Sequence, residues 1–82
     1  MRLTDKAKRE MVEAIKNIWG DRFVDAEADK QAGMLVVKGW ARGELTDEDV
    51  EARRLGTFTF VQEESKKYSA HAPIIKMNIG SF

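Results

Sequence analysis

Hydrophobic residues change their period at Gly20, and no other feature of this 82-residue chain restricts its fold so strongly. Before it, Leu3, Ala7, Met11, Ala14, Ile15 and Ile18 recur at helical spacing, with Val12 and Trp19 widening the stripe. This predicts an amphipathic helix over 4–19, capped by Thr4 and ended by Gly20. Lys6 with Glu10 and Arg9 with Glu13 stand at i,i+4 on the opposite side, the pattern of a solvated face. After Gly20 the alternation has period two, so a helix must lie against a strand face.

From Asp21 to Arg42 the alternation runs through a turn at Lys30-Gln31-Ala32-Gly33, which predicts a hairpin. With Lys30 opposite Gly33, one face carries Val24, Ala26, Ala28, Leu35, Val37 and Ala41. The same register sets Asp25 beside Lys38, Phe23 beside Trp40 and Asp21 beside Arg42 on the other face, three complementary pairs. Ala26 and Ala28 are small enough for a helix to approach closely, which makes the first face the expected core.

Residues 46–55 carry helix signals: Leu45 and Val50 as a hydrophobic staple, Thr46 and Asp49 as a capping box, Arg53 and Arg54 near the end, then Gly56. The same stretch also reads as the loop of a long hairpin from Trp40 to Phe60, and both readings stay open. Thr57-Phe58-Thr59-Phe60-Val61-Gln62 reads as a strand with Phe58 and Phe60 on its core face. Residues 63–72 fit either a helical turn or a loop. Pro73 then leads into a last strand, Ile74 to Ile79, at a sheet edge. The expected fold is α+β: one domain over 1–82, an N-terminal helix packed on one face of an antiparallel sheet of about four strands, with or without a short second helix at 46–55.

Composition narrows the function. Fourteen basic and fourteen acidic side chains cancel, and the signs alternate along the chain, so no block of one sign is aimed at a polyanion. The longest apolar runs, such as Met34-Leu35-Val36-Val37, have four residues where a membrane helix needs about 20. The N-terminus has no apolar signal segment, so a soluble cytoplasmic protein is expected. Without cysteine, thiolate metal sites and cysteine nucleophiles are excluded. His71 is the only histidine, no serine stands in a nucleophile-elbow context, and no glycine-rich phosphate loop is present.

Two acidic clusters fail as metal sites. Asp25, Glu27 and Asp29 project from one side of a strand, but i,i+2 neighbours are about 6.8 Å apart and calcium or magnesium gathers oxygens at roughly 2.0–2.6 Å. The run from Asp47 starts like a calcium loop, yet Ala52 stands where glycine is needed and Phe58 where glutamate is needed. No cofactor and no metal is therefore expected, and no enzymatic activity.

The second sheet face remains. By parity it holds Phe23, Met34, Val36, Trp40, Thr57, Thr59, Val61 and Ile74, mixed with Asp25, Lys38 and Lys76. A solvated antiparallel face should be mostly polar, so either the second helix or residues 63–72 cover it, or a partner does. The expectation is a small non-catalytic protein–protein interaction module: an adaptor, an assembly factor or an inhibitor of a larger protein. It would self-associate as a homodimer or dock through Phe23, Met34, Val36 and Trp40, with Asp21, Asp25, Lys38 and Arg42 as the rim. The alternative is single-stranded nucleic-acid binding, in which Phe58 and Phe60 stack on bases and Lys38, Arg42, Arg53, Arg54, Lys66 and Lys67 meet phosphates.

Overall fold

A computed structural model of the protein describes residues 2–68 and 70–80. Helix α1 (Asp5–Trp19) passes through a 3-10 turn (Gly20–Arg22) into strands β1 (Phe23–Gln31) and β2 (Met34–Arg42). Helix α2 (Asp47–Tyr68) and strand β3 (Ile74–Gly80) follow. The sheet order is β1-β2-β3, with β1 antiparallel and β3 parallel to the central β2. The fold is α+β with the expected N-terminal helix and edge strand, but the sheet has three strands and is mixed.

Thr4 caps α1, its Oγ1 accepting from the Ala7 N–H at 3.1 Å, an interaction worth about 0.5–2 kcal/mol. Met11, Ile15 and Trp19, successive i,i+4 neighbours, are the buried residues of the helix. They join Ala26, Ala28, Leu35, Val37 and Ala41 of the sheet in one core. The two alanines of β1 do form the small surface on which α1 lies.

The β1–β2 turn corrects the expected register by two residues. Gln31 pairs with Met34, and the two loop residues Ala32 and Gly33 have φ of 51° and 78°. A two-residue hairpin loop that matches strand twist needs positive φ at both positions, and a loop at Gln31-Ala32 would put neither on glycine. Turn chemistry therefore overrides side-chain pairing: Lys30 lies opposite Leu35, Asp25 opposite Trp40, and Lys38 opposite Glu27. A shift by two leaves each residue on its expected face. Further along, a bulge at Val24 does not: Phe23 pairs with Ala41 while Asp25 pairs with Trp40, so β1 has one extra residue there. Phe23 consequently turns to the core side, and Val24 is left 42% exposed instead of buried. Asp21 sits in the 3-10 turn, outside any pairing with Arg42.

The larger correction is α2. Of the two readings of 46–55 the helical one holds, with Thr46 Oγ1 accepting from the Asp49 N–H at 3.2 Å. The helix then continues through Gly56 and through the whole expected strand to Tyr68. Its buried positions are Thr57, Val61, Ser65 and Tyr68, one helical stripe in which three of the four side chains carry a hydroxyl. Thr57 decides the matter: its Oγ1 accepts from Trp19 Nε1 at 2.9 Å and donates to the Arg53 carbonyl at 2.8 Å. Burying an indole transfers roughly 150–250 Å² from water, worth roughly 4–6 kcal/mol, whereas an unpaired buried N–H costs about 1–3 kcal/mol. Thr57 removes that cost only from a helical backbone one turn after Arg53. The same Arg53 donates from Nη1 to the Ile18 carbonyl at 2.6 Å, placing a cation on the C-terminal end of α1.

Two stability outcomes follow from this packing. Thr57→Val keeps the shape and strands the Trp19 N–H, so urea denaturation should show a loss of about 1–3 kcal/mol, with Thr57→Ser milder because it keeps the hydroxyl. A Cβ on Gly56 would meet only Ile18 Cγ2 at 3.6 Å, an ordinary contact. Gly56→Ala should therefore stabilise the protein by about 0.5–1 kcal/mol through helix propensity, and a loss would show that the glycine is needed for packing.

Candidate interaction surface

Both helices lie on the same side of the sheet, since Thr57, Val61 and Tyr68 of α2 share the core with Met11, Ile15 and Trp19 of α1. The other side is consequently an uncovered face. Its central column is Met34, Val36, Lys38, Trp40 and Arg42 of β2. To one side stand Asp25, Glu27 and Asp29 of β1, and to the other Ile74, Lys76 and Asn78 of β3. Cross-strand rows connect them: Glu27–Lys38–Lys76, Asp25–Trp40–Asn78 and Asp29–Val36–Ile74.

Of the residues expected to form the contact, Met34, Val36, Trp40, Asp25, Lys38 and Arg42 are gathered on this face. Phe23 is not, because the bulge turns it inward, and Asp21 is not, because the strand begins two residues later. Thr57, Thr59 and Val61 are absent from it as well, being residues of α2. Neither the second helix nor residues 63–72 form a third layer: α2 includes most of that segment and packs on the core side. Val36 is 7% exposed between its lateral neighbours, Trp40 and Met34 are half-buried, and Ile74 is 49% exposed.

The acidic column is ordered at both ends. Asp25 accepts from the Ala26 N–H at 2.8 Å, and Asp29 accepts from the Lys30 N–H at 2.8 Å and pairs with Lys8 Nζ at 3.3 Å. The backbone hydrogen bond from Lys30, followed by the Lys8 contact and charge, holds the Asp29 carboxyl below its ordinary value. These residues do not form a cation site; among the described residues, no three histidine or acidic side chains are grouped to hold a metal.

A second apolar feature went unread in the sequence. Leu55 is 64% and Phe58 49% exposed on the outer side of α2, and with Glu51, Arg54, Ile75 and Met77 they line an open groove of about 380 Å³ beside β3. Their i,i+3 spacing is helical, but the strand reading of 57–62 hid it. That strand is also the basis of the stacking platform for nucleic acid, and it does not exist. Phe58 and Phe60 are helical, and Phe60 packs against the core. Arg53 is held by the Ile18 carbonyl, Arg54 donates to the Met77 carbonyl at 3.4 Å, and Lys66 and Lys67 pair with Glu63 and Glu64 at 3.1 and 3.5 Å. His71 is exposed in the α2–β3 connection. Among the described residues, no helix is long and apolar enough to cross a membrane.

Compared with protein-family models, with curated proteins and with solved structures, the chain matches none of them.

The Asp29 geometry has a measurable consequence. A carboxyl whose folded pKa is depressed stabilises the fold above the ordinary carboxylate range, and that contribution is lost as pH falls through the folded value. Carbon-detected NMR titration should find Asp29 below 3.8, and Lys8→Ala should move it only part of the way back, because the Lys30 N–H is the larger cause. Full return on removing Lys8 would overturn that ranking.

Proposed function

We propose that the protein is a small non-catalytic interaction module that docks through the sheet face opposite its helices, as an adaptor, assembly factor or inhibitor of a larger protein. The observation that supports this reading is the composition of β2. Its run Met34-Leu35-Val36-Val37-Lys38-Gly39-Trp40-Ala41 is apolar at nearly every position. A strand of that kind belongs between two covered faces, whereas a half-solvated strand alternates. Here α1 and α2 cover one face only, and Met34, Val36 and Trp40 supply the other with an apolar centre flanked by charge, the composition of an interface core and rim.

Trp40 is the anchor of this surface, since a half-buried indole offers more area and rigidity than any other side chain on the face. Asp25, Lys38 and Arg42 are rim residues that set orientation and association rate more than affinity. Single-stranded nucleic-acid binding has weaker support, because only Lys38 and Arg42 of its proposed cations lie on the open face.

A photo-crosslinking residue at Lys38, on the open face, should give a defined product in the native host, identifiable by mass spectrometry and abolished by adding Trp40→Asp. The same residue at Lys6, exposed on α1, should not give it. Equal products from both positions, or none from either, would remove the basis for this reading.

A further inference from the structure

The open face is divided by charge into columns, and that division selects its occupant. We infer that a second copy of this chain covers the face, related by a twofold axis parallel to the strands. The inference rests on the docking reading above and names its partner.

The face carries three acids, Asp25, Glu27 and Asp29, all on the outer strand β1. It carries three bases, Lys38 and Arg42 on the central strand and Lys76 on the far strand. Asp29 is already paired with Lys8 of α1 at the β1 edge, so the face is close to neutral, pairing with itself is only weakly opposed by net charge, and it is polar across its width. A partner of one charge sign would satisfy only one side of it.

Sheets packed face to face align their strands to within about 30°, which leaves two directions for a twofold axis between them. An axis across the strands lays β1 over β1 of the second copy and sets the acidic column against itself. An axis along the strands lays β1 over β3 of the second copy and keeps every cross-strand row at its own height. Because Glu27, Lys38 and Lys76 share one row, Glu27 then faces Lys76 of the second copy, and the contact occurs twice. Along the axis Met34, Val36 and Trp40 meet their own counterparts between the two charge pairs, and so do Lys38 and Arg42; like charges then face each other only in the central column, whereas the axis across the strands has them facing in all three. Each Lys38 near the axis is flanked by a Glu27 on its own sheet. Strands about 4.8 Å apart and residues about 3.3 Å apart give a face of about 14 by 23 Å over the seven rows. Roughly 320 Å² per copy is below the roughly 600 Å² per partner of the smallest stable interfaces, so the dimer is a weak one that forms only at high concentration.

The test separates contacts within one copy from contacts between two. Within one copy, Lys76 adjoins Lys38, so Lys76→Glu relieves a like-charge neighbour and leaves thermal stability equal or higher. Between copies the same change sets Glu against Glu27. Sedimentation equilibrium up to about 1 mM should show a wild-type dimer, weakened about tenfold or more by Lys76→Glu and by Glu27→Lys separately. The double variant should restore it. A wild-type monomer over this range, or a dimer indifferent to both reversals, would overturn the inference. If crosslinking from position 38 still gives a different protein in that case, the docking face stands and only its occupant is wrong.

Discussion

The Trp19 indole N–H and the Thr57 hydroxyl form the contact on which the rest of the molecule depends. Trp19 is the last residue of α1 and is fully buried, so its single polar group must find a partner inside the core. Thr57 supplies it from 38 positions away and donates its own O–H to the Arg53 carbonyl. One hydroxyl thus satisfies a neighbour's donor and a carbonyl of its own helix. Arg53, one turn earlier, reaches the carbonyl of Ile18, so the end of α1 is joined to the middle of α2 by two hydrogen bonds from adjacent turns. No buried side-chain nitrogen or oxygen among the described residues is left without a partner.

Placing α2 against α1 has a topological result. Twenty-two helical residues span about 33 Å and nine strand residues about 30 Å, so α2 carries the chain back along nearly the full length of β2. β3 therefore starts where β2 started and runs parallel to it. Had residues 57–62 been a strand, the shorter connection would have made an antiparallel neighbour. Because both helices share one side of the sheet, the same event that completes the core leaves the opposite face uncovered. The open face is thus a by-product of how the core closes, and its apolar content lies on the strand with a neighbour on either side.

Local signals were most legible where one physical effect dominated. The helical stripe of α1, its threonine cap and the glycine at its end concern neighbouring residues only. The edge position of β3 was announced by Pro73 and by alternating isoleucines. In the hairpin the faces of residues 25–42 were legible but the pairs were not, because complementary charges occur at several registers and only the positive φ at Ala32 and Gly33 chooses one. The bulge at Val24 left no sign in the pattern, and with it went the places of Phe23 and Val24. Six of the eight residues assigned to the contact surface share one face; the two that do not precede that bulge.

The sequence by itself determined which segments are helix and strand up to Arg42, the end of β2, and which residues of the hairpin from Asp25 onward share a side. These depend on period, caps and turns, all of which act within a few residues. Tertiary structure alone decided that residues 57–62 are helical. β-branched and aromatic residues favour a strand there by about the energy that a single buried hydrogen bond can reverse, and that bond is made to a tryptophan 38 positions away. It also decided the direction of β3 and the side on which α2 lies, and so which face of the sheet is open.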